Sequence, residues 1–319
     1  MQKSRYIRQL KRELAAAALS VVIAAVAVGS ATYAWYVANN TVDGTTSTVS
    51  ALANGMVLQI VAGDTPDHGS DTSTIASGLG HEISPSSTND VKNWYVPATW
   101  KGTDVNTYTK PVMDAAGKYT VQKDDFYAYT VSEYTLYTVN NTGLADVYLD
   151  NSTANGPVTI TPSNGASQEW FDKIKGSLRV GIVIGNELKV VYAPVAPSTT
   201  VAGNDVNKTI GWSCVDASLT KTMAPTYKHV DGANLIDQSG ANWGATKNGE
   251  TYVKPSGTPG KIAENVGYNG VSMKIYIWME GTDSDCVNMS GLEKGTENPT
   301  FDVTVSLVGI VPDSANGTK

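Results

Sequence analysis

The sequence predicts a mostly β chain: an antiparallel jelly roll or β-sandwich with long loops, one or two short helices and a hydrophobic signal helix at the N-terminus. Three observations carry this. Aromatic usage is skewed to Tyr (16) and Trp (7) against Phe (3), among abundant Gly, Thr, Ser and Asn, which is strand-and-turn composition. The stretch Phe301 to Leu307 alternates without a break, with Phe301, Val303, Val305 and Leu307 on one face and Asp302, Thr304 and Ser306 on the other. Long Leu/Ala/Glu/Lys blocks are absent beyond the N-terminal region, so little of the chain is suited to helix.

The first element is the leader. Lys3, Arg5, Arg8, Lys11 and Arg12 form a basic head, and an apolar run follows from Leu14 to Gly29. Thr32 and Ala34 then supply small residues before Trp35, so residues 1–34 read as a signal peptide cleaved before Trp35. The run is short of the roughly twenty residues that span a bilayer stably; an uncleaved membrane anchor is the alternative. Removing the leader takes five basic residues and one acidic residue from totals of 23 and 30, leaving 18 against 29. An acidic exported chain argues against nucleic acid and anionic membranes as partners, and membrane contact is expected only through the uncleaved leader. Its two cysteines, Cys214 and Cys286, either pair across a long loop, for about 4 kcal/mol of stabilisation, or stay as two buried thiols.

Residues 35–55 are polar, with sparse apolar teeth at Val37, Val42, Val49 and Leu52, and read as an extended, weakly specified segment. Residues 56–319 form the β domain. Met56 to Val61 is its first strand, and 62–92, rich in Ser, Thr, Asp and Gly, is a long surface loop. Trp94 to Trp100 carries Pro97 and reads as an edge strand or packed loop. Phe126 to Asn140 is a strand region, the Asn140-Asn141-Thr142-Gly143 turn follows, and Leu144 to Leu149 returns. Ser167 to Lys175 is a short helix closed by Gly176. Leu178 to Ile184 and Leu188 to Tyr192 flank Gly185-Asn186-Glu187 as a hairpin. Residues 193–262, with scattered prolines, form an insertion with a few short strands, and Val271 to Met279 is a further strand.

Catalytic patterns fail on spacing. His81-Glu82 opens like a zinc-protease motif, but the second histidine position is Pro85, which also breaks the helix such a motif needs. Gly257-Thr258-Pro259-Gly260-Lys261 is followed by Ile262 where a phosphate loop has Ser or Thr. No enzyme activity and no cofactor are expected. Glu280, Asp283 and Asp285 cluster in EGTDSDC and are either Ca²⁺ ligands or a solvated loop. Trp94, Tyr95, Trp100, Trp212 and Trp243 offer aromatic surfaces for an adhesin or glycan-binding module, or they are core.

Ala31-Thr32-Tyr33-Ala34-Trp35-Tyr36 resembles the leader end of the TasA/camelysin family, exported proteins processed by the dedicated signal peptidase SipW. Tyr137 to Tyr148 and the run Ile277 to Cys286 are also similar to that wider family, and the likeness covers about a third of the chain. The resemblance implies a jelly roll, secretion to the cell surface or biofilm matrix, a SipW-like peptidase as partner, and assembly into matrix fibres. Some members are described as metalloproteases; without a zinc motif that activity is not carried over. Neither an LPxTG motif nor a hydrophobic tail is present, so wall anchoring by that route is not expected.

The segment after the cleavage site suggests how such fibres form. Residues 35–55 have no core of their own, so once freed they can add to a sheet edge of a neighbouring copy as a donor strand. That contact is head-to-tail and runs on as a homopolymer. The alternatives are a loose tail, or a segment that folds back on its own sheet.

Overall fold

The alternating stretch forms the strand on which one sheet is built. Thr300–Ile310 buries Phe301, Val303, Val305 and Leu307, each at most 1 % exposed. The structure, a computed structural model, describes residues 42–53, 58–69, 74–76, 82–97, 108–121, 123–163, 168–194, 214–215, 222–223, 235–237, 244–249, 251–255, 260–281, 283, 286 and 300–313. The leader, the Thr32–Ala34–Trp35 cleavage site and Val37 lie outside these residues.

In chain order the strands begin with β1 (Val42–Ala53), β2 (Leu58–Ala62), β3 (Thr74–Ala76), β4 (Glu82–Ile83), β5 (Val96–Pro97), β6 (Tyr108–Thr109), β7 (Lys118–Val121) and β8 (Asp124–Tyr127). Then come β9 (Thr130–Thr138), β10 (Ala145–Leu149), β11 (Val158–Pro162), the helix α1 (Gln168–Ile174), β12 (Leu178–Ile184) and β13 (Glu187–Ala193). The series closes with β14 (Cys214–Val215), β15 (Thr222–Met223), β16 (Leu235–Asp237), β17 (Thr246–Asn248), β18 (Thr251–Val253), β19 (Lys261–Val266), β20 (Val271–Met279) and β21 (Thr300–Ile310).

The fold is mostly β, with pairing that is largely antiparallel. One sheet has the order β19-β10-β21-β1-β3, with β11 also beside β21 and β4 beside β1. The second has the order β16-β13-β12-β20-β9-β2. Their inner faces share one apolar core: Val147, Leu149, Val303 and Val305 from the first sheet meet Ile60, Leu136, Val180, Ile182, Ile275 and Ile277 from the second. Each such side chain contributes about 1.5–3 kcal/mol on burial. Phe171 and Ile174 attach α1 to the same core, while Lys175 and Gln168 bond Asp172 on its outer side.

Both outer faces are also covered. Over the second sheet, Trp94, Val96, Tyr119, Ala128 and Tyr129 pack on Val183, Val191 and Trp278. Over the first, the β17–β18 hairpin sets Ala245 and Tyr252 on Tyr148 and Val308. Gly244 makes that approach possible: its φ is +91°, and a Cβ there would lie 2.1 Å from the Leu149 carbonyl oxygen.

Two expectations are corrected, and one unforeseen strand is added. Residues 62–92 are not wholly a surface loop, since Ser84, Ser86, Ser87 and Thr88 are buried, with the Ser86 hydroxyl donating to the Ala128 carbonyl at 2.6 Å. Leu144–Leu149 does not return beside the preceding strand: β9 belongs to the second sheet and β10 to the first, so the Asn140–Gly143 turn carries the chain between layers. The strand β11 was not expected, because Pro162 and the surrounding Thr residues hide it. The β12–β13 hairpin forms as expected, with Gly185 at φ +58°.

Candidate functional site

The segment expected to be spare is a strand of its own sheet. β1 lies parallel to β21 from Asp43 opposite Thr300 to Ala53 opposite Gly309, with a register shift between Gly44 and Thr46. Val49 is level with Val305 and Leu52 with Val308. Val42 lies opposite Ile83 on the other side. Every other described pair in this sheet is antiparallel. A parallel neighbour cannot come from a tight hairpin, so no hairpin turn joins β1 to β21. Among the described residues, only the three residues of β3 and the two of β4 stand beyond β1.

The β19 part of the opposite edge, beside β10, is blunted. In β19, Asn265 adopts φ +50°, and its N–H donates to Asp146 Oδ1 at 3.0 Å. Lys261 Nζ meets Asp146 Oδ2 and Glu264 Oε1, each at 2.9 Å. Partial burial opposes the Lys261 charge, but the bonds to Glu264 and Asp146 outweigh it and hold the ammonium above its ordinary pKa. A bulged, charged edge of this kind resists adding another strand.

The acidic run after β20 has a different character from a solvated loop. Glu280 and Asp283 are 1 % and 2 % exposed. Arg179 Nη2, from β12, donates to Asp283 Oδ2 at 2.5 Å, and Nη1 donates to the Gly176 and Leu178 carbonyls. Trp278 Nε1 donates to Glu280 Oε2 at 3.4 Å. Burial, and then the Glu280 charge, push the Tyr108 phenol up to about 12. The Asp283 carboxylate thus already faces a cation, supplied by the protein. Asp285 lies outside the described residues, and among these no three His, Cys, Asp or Glu side chains gather as a metal site. Arg179 was missed as a site residue although the signal was present: a single cation in the apolar run LRVGIVI requires a buried acceptor.

The remaining expected residues scatter. Cys286 is buried in the core, and the Cys214 backbone pairs with Met223 in a separate two-stranded piece, its side chain lying outside what is described. Trp94 is core rather than surface, 5 % exposed and edge-on to Trp278 at 5.6 Å. Trp100, Trp212 and Trp243 lie outside the described residues. Among the described residues no helix is long and apolar enough to cross a membrane. Comparison with protein-family models, curated proteins and solved structures finds no match.

Proposed function

We propose that the chain is a secreted structural protein, a subunit that assembles head to tail into fibres of the cell surface or biofilm matrix by donating β1 to the next copy. The observation that carries this is the parallel β1–β21 seam: an N-terminal, polar strand that no hairpin joins to its partner, with short strands on its far side among the described residues. Closed and exchanged forms would use the same register, so exchange costs little beyond opening the seam. With both faces of the sandwich covered and the β19 edge bulged, the β1 side is the favoured route for strand addition. The leader's resemblance to the TasA/camelysin family supports export through a SipW-like peptidase, and the passage of the chain between two sheets suits a jelly roll. Negative-stain electron microscopy of protein beginning at Trp35 tests the proposal. Filaments are expected; particles that stay monomeric at every concentration overturn it.

A further inference from the structure

The chain leaves β1 and enters β2 at the same end of the sandwich. β1 runs parallel to β21, so it starts beside Thr300 and finishes with Ala53 opposite Gly309. Leu58, the first residue of β2, adjoins that point: a Cβ on Gly309 would lie 3.1 Å from Leu58 Cβ. Leu58 is firmly held there. It stands opposite Thr138 of β9, and both it and Ile60 are buried in the core shared by the two sheets. In the sequence only residues 54–57 separate Ala53 from Leu58.

This short tether limits where a donor sits. If β1 fills the next copy's sheet in the observed register, its Ala53 lies opposite that copy's Gly309, one strand spacing of about 4.8 Å away. The donor's own Leu58 follows within five residue steps, which reach about 18 Å fully extended. Releasing β2 as well would lengthen the tether, but it would take Leu58 and Ile60 out of the core at about 1.5–3 kcal/mol each. Because Leu58 and Gly309 adjoin within each copy, Leu58 of a donor and Leu58 of its acceptor are at most about 30 Å apart.

The dimensions of the fold decide what that distance allows. The 11-residue β21 is about 36 Å long. Copies stacked end to end along their strands would repeat at no less than that length, which the tether does not span. Copies placed side by side need the width of a sheet, about 24 Å for the six-stranded one. That fits.

We infer that strand donation sets successive copies side by side, with their Leu58–Gly309 ends together, and does not stack them along their strands. This rests on the fibre reading and adds to it the placement of the partner. The contact still joins an arm to a groove, two unlike surfaces, so it runs on from copy to copy.

The test has two parts. In the first, protein beginning at Trp35 and carrying Thr48→Cys and Thr304→Cys is assembled under reducing conditions from an equal mixture of ¹⁴N- and ¹⁵N-labelled chains, then oxidised. Residues 48 and 304 stand opposite each other, so disulfides joining a light to a heavy chain mark donated strands. In the second, cryo-electron microscopy of the unsubstituted protein measures the spacing of Leu58 between joined copies. Mixed disulfides, with Leu58 of neighbours within about 30 Å, are expected. Mixed disulfides with copies stacked end to end, at a repeat of about 36 Å or more, overturn the inference and leave strand donation standing. A closed exchanged pair with the expected Leu58 spacing keeps the placement and removes the fibre. Disulfides that form only within chains remove strand donation, and the inference with it.

Discussion

Two interior strands, β12 and β1, show opposite ways of occupying a sheet. β12 (LRVGIVI) is buried throughout and lies between antiparallel neighbours, one of them supplied by its own hairpin. β1 (VDGTTSTVSALA) carries Thr and Ser at five of its 12 positions and is joined by no turn to the partner it runs beside. Position in a sheet therefore does not reveal how firmly a strand is specified. β12 is fixed by sequence hydrophobicity, a local turn and a buried ion pair. What the described residues show holding β1 is the ladder it completes, the ladder that strand donation would complete from another copy.

Locking the seam should have the largest effect. Thr48 stands opposite Thr304, and Thr304 is accessible enough for oxidant and reductant to reach. A Thr48→Cys, Thr304→Cys pair, oxidised within one chain, holds β1 at home. Filament formation should be lost completely and return on reduction. Normal filaments from chains shown by mass spectrometry to be fully cross-linked would remove strand donation from the account.

The corresponding break in β12 is Arg179→Ala. It leaves Asp283 buried without its guanidinium, and losing one partner of a buried pair costs about 3–5 kcal/mol. A urea titration should show the midpoint falling with the slope unchanged. Adding Asp283→Asn should recover part of the loss, because the stranded charge is then gone.

Alkaline pH probes the covering over the β12 sheet. Tyr108 is raised to about 12 by burial and then Glu280, and Tyr129 to about 12 by burial, then Tyr276 and Asp114. Below about pH 10 both phenols are protonated in the folded and unfolded chain alike. Between pH 10 and 12 the unfolded chain loses these protons first, so stability falls as pH rises, by up to about 3 kcal/mol per tyrosine. Tyrosinate absorbance should then rise together with loss of near-ultraviolet circular dichroism. Full ionisation at pH 10.5 with the fold intact would show that these rings are accessible.

What the sequence made legible follows the same division. The strands β20 and β21 and the β12–β13 hairpin were readable because period-two alternation, apolar runs and a Gly-Asn turn act within a few residues. The parallel seam was not, because pairing between Val49 and Val305 leaves no local trace. For Asp283 the alternatives were calcium or solvent; its actual partner, Arg179, lies in a strand of the second sheet. The burial of Ser84–Thr88 was hidden because polar residues look solvated until a covering segment, here residues up to Tyr129, bonds them from above.

The smallest expected effect separates burial from pairing. Lys274 Nζ and Glu133 Oε1 are 2.5 Å apart across the β9–β20 ladder, in the same sheet as Arg179, but their side chains are 36 % and 53 % exposed. Water already solvates both ions there, so the pair gains little on forming and leaves little stranded when broken. Lys274→Ala should cost about 0.2–1 kcal/mol, and less at high salt. Arg179→Ala should keep nearly its full cost in 1 M salt, since its partner is out of reach of the ions. If the two substitutions proved equal in urea midpoint and equally salt-dependent, Asp283 would have to be solvated, and the contrast between a firmly specified β12 and an exchangeable β1 would lose its energetic half.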